Sequence, residues 1–263
     1  MIARIVIYLI LIIVLSDLYI DIHYFRKRYH VSWWLRLLWW LPCIGMLIYT
    51  CAMASIQNFA PDNLTWLNTY LFLLGMFVGP KAIFALTSFL GSIVRKYIIR
   101  TNRNWGHYIG VLLGCFAFGV FVYGLTYGIS DIRIRHVDLY FKDLPKSFEG
   151  YRVVHVSDLH LGTFDGWRSK ILKAEMDSIE KQKPDLICFT GDLQNIRPEE
   201  VERMSSFIRQ PMKGTVSVLG NHDYTEYIKG DKREKAAQEE RLVNAERKVL
   251  GWTLLRNQNI CIT

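Results

Sequence analysis

Three short stretches put polar chemistry directly after apolar runs. Val153-Val154-His155-Val156-Ser157 leads into Asp158-Leu159-His160. Leu186-Ile187-Cys188-Phe189-Thr190 leads into Gly191-Asp192, and Thr215-Val216-Ser217-Val218-Leu219 into Gly220-Asn221-His222-Asp223. On an extended backbone, side chains two residues apart fall on the same side. Asp158 and His160 therefore read as a paired carboxylate and imidazole, a donor set suited to a divalent metal ion. Asp192 follows Asp158 by 34 residues, and Asn221 follows Asp192 by 29. Each interval holds one helix and one strand, the requirement for a parallel crossover. An Asp-x-His alone is usually a surface pair, and a Gly-Asp alone is usually a turn. Three such sequences, each closing an apolar strand, predict one site at the C-terminal edge of a parallel sheet.

The elements that must carry these residues can be read around them. Strands are predicted over 152–157, 186–190 and 215–219. A helix is predicted over 167–181 from the spacing of Ile171, Leu172, Met176 and Ile179. A second helix opens at Pro198, with Glu199, Glu200 and Glu202 near its positive end, and stops before Lys213-Gly214. The order strand–helix–strand–helix–strand implies right-handed crossovers. Ile132, Ile134, Val137 and Leu139 suggest an edge strand, and 252–255 and 259–262 two further short strands. Residues 229–248 carry charges of both signs and read as a solvated helix. His155, inside the first strand, reads as structural.

The first 129 residues have a different texture. They hold ten Lys and Arg against three Asp and Glu, a net +7; the remainder holds 22 against 21, a net +1. The basic excess thus belongs to the apolar half, which argues for membrane topology and against a nucleic-acid partner. Spans are predicted over 2–20, 35–56, 64–94 and 108–129, each long enough for a ~30 Å hydrocarbon core. No small-residue cleavage site follows the first, so an anchor is favoured over a signal peptide. The third is interrupted by Gly79-Pro80-Lys81 and reads as one kinked helix with an interfacial tail. Lys81 is either a functional intramembrane charge or a snorkelling lysine. Gly110, Gly114, Gly119, Gly124 and Gly128 suit close packing of the fourth helix. Arg26, Lys27, Arg28 and Arg36 fall after the first span, and Arg95, Lys96, Arg100 and Arg103 after the third. The loop around Pro61-Asp62-Asn63 has no Lys or Arg. By the positive-inside rule the protein is a multi-pass membrane protein whose globular half is extracytoplasmic. The five cysteines show no paired spacing and read as small core hydrophobes.

Asp158-x-His160, Gly191-Asp192 and Gly220-Asn221-His222-Asp223 resemble the first three motifs of the calcineurin-like metallophosphoesterase superfamily, with likeness over roughly 144–262. The apolar spans predict a membrane region of about four helices (1–129), and the resemblance implies that the α/β domain after it (130–263) is of the αββα sandwich type. It implies two divalent metal ions of manganese, iron or zinc type. Residues matching Asp158 and His160 bind one, the residue matching Asn221 binds the other, and the residue matching Asp192 bridges both. The residue matching His222 assists at the phosphate and leaving group, and Asp223 would orient it. The implied reaction is attack of a metal-activated hydroxide on a phosphate mono- or diester, which beside a bilayer could be lipid-linked. The family's later motifs supply three more metal-binding histidines, whereas none follows His222 in this sequence. The domain is therefore expected to be C-terminally incomplete, and this chain to hold at most one metal firmly. The competing expectation is a truncated or non-catalytic membrane protein with a partial metal site. A transporter with an accessory domain rests only on Lys81 and the glycines.

Overall fold

The computed structural model describes residues 2–56, 61 and 63–262. Asp62 of the second loop lies outside them. The chain divides into two compact units between Ser130 and Asp131.

The first unit contains, among the described residues, four helices long and apolar enough to cross a membrane: Val6–Arg26, Trp33–Ala54, Leu64–Ile99 and Trp105–Ser130. The first comprises α1 (Val6–Ile20) and a π-helical turn, Asp21–Arg26; the second is α2 (Trp33–Ala54). The third runs as α3 (Leu64–Leu73), a π-helical turn (Leu74–Val78), α4 (Gly79–Ile93) and a second π turn (Val94–Ile99). Pro80 lacks an N–H and crowds the preceding turn, and the π turn just before it absorbs the misfit. The helix passes the expected end at Val94 and stops only where Arg100 turns left-handed at φ 54°. The fourth span is built on α5 (Trp105–Thr126).

Two acidic residues of the first span, Asp17 in α1 and Asp21 in the π turn after it, tie this unit together. Lys81 Nζ donates to both carboxylate oxygens of Asp17 at 2.7 Å and lies 5.0 Å from the Trp39 ring. Lys81 is therefore paired with a buried carboxylate of the first span. One turn further along, Arg36 forks onto Asp21 at 2.6 and 2.7 Å. Arg36 belongs to the first turns of α2, not to the preceding loop. The glycine expectation holds for half of α5. A Cβ on Gly106 would fall on the Thr87 and Gly91 backbone, and one on Gly114 would come within 3.2 Å of Pro80 O. Gly119 and Gly124 face open space, so the close contacts made by glycines of α5 are confined to its first half.

The second unit is built on one parallel sheet. Strands β1 (Val153–Val156), β2 (Leu186–Phe189), β3 (Val216–Ser217) and β4 (Thr253–Leu254) lie side by side in sequence order. Val153 pairs with Leu186, Cys188 with Val216, and Val216 with Thr253. Helices α6 (Ser169–Lys181), α7 (Pro198–Ile208) and α8 (Lys232–Asn244) make the crossovers. Leu172 and Met176 of α6, Val201 and Ile208 of α7, and Leu242 of α8 are buried with Phe189 of β2. On the other side of the sheet Val153 and Val218 stay 54% and 39% exposed. The second sheet of an αββα sandwich does not occur among the described residues.

Three sequence expectations change. Residues 131–141 form no strand, and Leu139 is 71% exposed. Their alternation supplies a strand face, but a strand requires a hydrogen-bonding neighbour. The same holds for 259–262. The charged helix α8 is exposed at most positions from Lys232 to Arg241, with Asp231 and Glu234 forming a capping box at its start, and only its end turns inward. Its end carries Leu242 and Val243, then Ala245, Glu246 and Leu250 of a following π turn, all into the core.

Candidate metal centre

Each predicted site residue sits just beyond a strand, but on loops that bend sharply instead of extending. Asp158, His160 and Asp192 all have left-handed backbones, at φ 56°, 43° and 60°. Such conformations cost on the order of 1–3 kcal/mol each in non-glycine residues and persist only where neighbours enforce them. Here the loops enforce one another. Asp158 N donates to Gly191 O at 3.0 Å, His160 N to Asp192 O at 3.0 Å, and Leu161 N to Leu193 O at 2.9 Å. Asp158 and His160 therefore converge through paired left-handed turns, not through strand alternation. A Cβ on Gly191 would fall on the Gly220 backbone, and one on Gly220 would lie 2.5 Å from Asp192 N. Glycine is required at both positions for the second and third loops to touch.

The close approach brings the donors together. Ligand atoms of His160, Asp192 and His222 lie within 4.8 Å of one another. His160 Nε2 is 3.9 Å from Asp192 Oδ2 and 3.8 Å from Asp158 Oδ1. Both separations are less than twice a metal–nitrogen or metal–oxygen bond of about 2.1 Å, so one cation could touch either pair. His160 Nδ1 faces Gln194 O at 3.3 Å, and His222 Nδ1 faces Asn195 O at 2.6 Å. A carbonyl accepts only from a protonated nitrogen, which leaves Nε2 of each ring as its lone-pair donor. His160 with the Asp158 and Asp192 carboxylates fits a divalent ion of the zinc, manganese or iron type, and His222 presents its Nε2 beside that set.

The remaining residues take more varied places. Asp158 is the exposed member, and Ser157 Oγ donates to its Oδ2. Asp192 is buried; its Oδ1 accepts from His222 N at 2.8 Å, which leaves Oδ2 toward His160. Asn221 is exposed and its Nδ2 donates to Tyr227 Oη at 3.0 Å. Asp223 was expected to orient His222, and its contacts correct that. Its carboxylate is fully buried and accepts from the backbone N–H groups of Asp192 (2.7 Å), Gly220 (2.9 Å), Leu193 (3.0 Å) and Gln194 (3.3 Å). The ring of His222 is instead oriented by Asn195 O. Burial pushes the Asp223 carboxyl above the usual range, with the Gly220, Gln194 and Asp192 amides working against that rise and the Asp192 charge adding to it. His155 bonds Thr190 Oγ1 at 2.9 Å across β1 and β2.

Several contributors were not singled out from sequence. Asn195 and Gln194 act through backbone carbonyls, for which side-chain identity carries no signal. Glu200, in the first turn of α7, holds their loop. Its buried carboxylate accepts from Asn195 N (2.6 Å), Ile196 N (3.2 Å) and Arg197 N (3.2 Å). The signal available was its place at the positive end of a helix.

Residues 3–129 match the family described as probable calcineurin-like phosphoesterase, transmembrane domain, and residues 151–260 match the calcineurin-like phosphoesterase family. Among curated proteins, a transmembrane protein with metallophosphoesterase domain from Danio rerio is 31% identical over 39% of this chain and 24% of its own length. UDP-2,3-diacylglucosamine pyrophosphatase LpxG of Chlamydia trachomatis is 37% identical over 34% of this chain and 28% of its own. The uncharacterized metallophosphoesterase YkoQ of Bacillus subtilis is 25% identical over 57% of this chain and 52% of its own. The matched part of this chain thus spans about a quarter of the first two relatives and about half of the third. No solved structure matches. With an apolar four-helix unit and strand-end donors each falling inside a family match, the chain is a membrane-anchored member of the calcineurin-like metallophosphoesterase superfamily.

Proposed function

We propose that this protein is a membrane-anchored, metal-dependent phosphoesterase hydrolysing phosphate mono- or diesters at the ends of β1, β2 and β3. The observation that carries the reading is the meeting of His160, Asp192 and His222 within 4.8 Å, on loops that share backbone hydrogen bonds. Asp158, His160 and Asp192 would hold one cation, and Asp192 with Asn221 a second. Divalent cations bound there supply Lewis acidity, neutralising phosphate charge and making a nucleophile available at neutral pH. His222, with Nδ1–H fixed on Asn195 O, presents Nε2 to hold or deliver a proton at the leaving oxygen. Asp223 keeps the Asp192 and Gly220 loops in register.

The donors on this chain are uneven. One site has two carboxylates and an imidazole; the other has a shared carboxylate and a neutral amide. Two adjacent dications repel, and a neutral amide offsets little of that. The chain therefore holds at most one metal firmly. The same imbalance supports a second reading, a non-catalytic membrane protein with a partial metal site. A lipid-linked substrate is supported by the LpxG relatives, whose name specifies a diacylated nucleotide sugar, and by the apolar unit on the same chain. The distribution of basic residues supports an extracytoplasmic catalytic half.

The test is release of p-nitrophenol from mono- and bis-p-nitrophenyl phosphate by the full chain in detergent, with and without manganese. Manganese-dependent release that disappears in Asp192→Asn supports the phosphoesterase. Firmly bound manganese with no release above the Asp192→Asn variant favours the non-catalytic reading.

A further inference from the structure

Tyr227 lies six residues beyond Asn221 and touches two members of the site at once. Its hydroxyl takes the Asn221 Nδ2–H at 3.0 Å, and its ring lies against the His222 ring, centroids 4.4 Å apart at 31°. An asparagine amide has one oxygen and one nitrogen at opposite corners, and only the oxygen can bind a cation. Fixing Nδ2 on a phenol hydroxyl therefore decides which corner is left for a metal. The ring contact limits rotation of His222, already held at Nδ1 by Asn195 O, about its remaining free direction.

We propose that Tyr227 is a positioning residue of the metal centre: its hydroxyl sets the Asn221 amide with Oδ1 available to a cation, and its ring sets the plane of His222. The proposal rests on the metal-dependent reading above, and the two can fail separately. Partners that orient a ligand through its other atom typically change metal affinity about tenfold or more when removed.

The experiment is a manganese titration of the full chain in detergent, followed by electron paramagnetic resonance without substrate. Wild type, Tyr227→Phe, Asn221→Ala, their double variant and Asp192→Asn are compared, with Tyr224→Phe as a control at an exposed tyrosine of the same loop. Tyr227→Phe keeps the ring and removes only the hydroxyl, so thermal midpoints should match wild type. The expected result is that the weaker manganese site, the one holding Asn221, loses affinity about tenfold in Tyr227→Phe, at least as much in Asn221→Ala and no more in the double than in Asn221→Ala, because Tyr227 acts on the cation only through Asn221. Tyr224→Phe should be unchanged. Wild-type affinity in Tyr227→Phe, or single effects that multiply in the double variant, overturns the role of Tyr227 and leaves the metal centre standing. Manganese binding that is insensitive to both Asn221→Ala and Asp192→Asn, or no binding at all, overturns both.

Discussion

Replacing Asp223 by asparagine separates two accounts of this residue. If Asp223 oriented His222, Asp223→Asn would slow turnover and leave the fold intact. The geometry gives a different outcome. Asp223 Oδ2 accepts from Asp192 N and Gly220 N, and Oδ1 from Leu193 N and Gln194 N. An asparagine keeps one oxygen for one of these pairs and turns an –NH2 toward the other, so two buried N–H groups lose their acceptor and meet a donor. Each unsatisfied buried donor costs about 1–3 kcal/mol, giving about 2–6 kcal/mol in total. For a domain of this size that is a fall in thermal midpoint on the order of 10 °C or more. Because one pair joins the Asp192 loop to the Gly220 loop, metal binding should weaken along with stability. The assay is pulse proteolysis of the full chain in detergent across a urea series, with metal content measured on the same samples. Wild-type stability with slowed turnover alone would refute the reasoning and restore the orienting role.

Burial pushes the Glu246 carboxyl up to about 8; its Oε2 accepts from Ser217 Oγ at 2.6 Å. Between the ordinary carboxyl range and pH 8 the folded state keeps a proton that the unfolded chain releases, so stability should fall as pH rises through that window. Thermal midpoints from pH 5 to 8.5 should show the decline, and Glu246→Gln should flatten it, leaving the smaller contribution of Glu175, itself pushed by burial to about 7. In the membrane unit, Lys81→Leu strands the buried Asp17 carboxylate and should cost about 3–5 kcal/mol, whereas Asp17→Leu with Lys81→Leu should recover most of that. Detergent thermal midpoints that leave the double variant as unstable as the single contradict the pairing. A cysteine at exposed Lys232, in a Cys261→Ser background, should react with a membrane-impermeant thiol reagent in intact cells. Labelling only after lysis reverses the topology.

The sequence made legible whatever depends on side-chain type. The apolar runs marked the spans, and abrupt polar endings at Asp158, Asp192 and Asn221 marked the three loops that meet. Parallel order followed from the crossover lengths. What stayed hidden depends on partners distant in sequence. Lys81 alone cannot reveal that Asp17, 64 residues earlier, receives it. Asp223 looks like part of a polar motif because its burial against four amides is a property of folded loops. Residues 131–141 look like a strand because alternation describes a face and not a neighbour. Asn195 orients His222 through a carbonyl that every residue possesses.

The central claim is that Asp192 joins the donors of this chain into a metal centre. Its most direct test is elemental analysis of manganese, iron and zinc per chain in the purified 263-residue chain, beside Asp192→Asn and His222→Ala. The account predicts about one firmly bound divalent metal in the wild type, near-complete loss in Asp192→Asn, and content close to wild type in His222→Ala. Unchanged metal content in Asp192→Asn would contradict it.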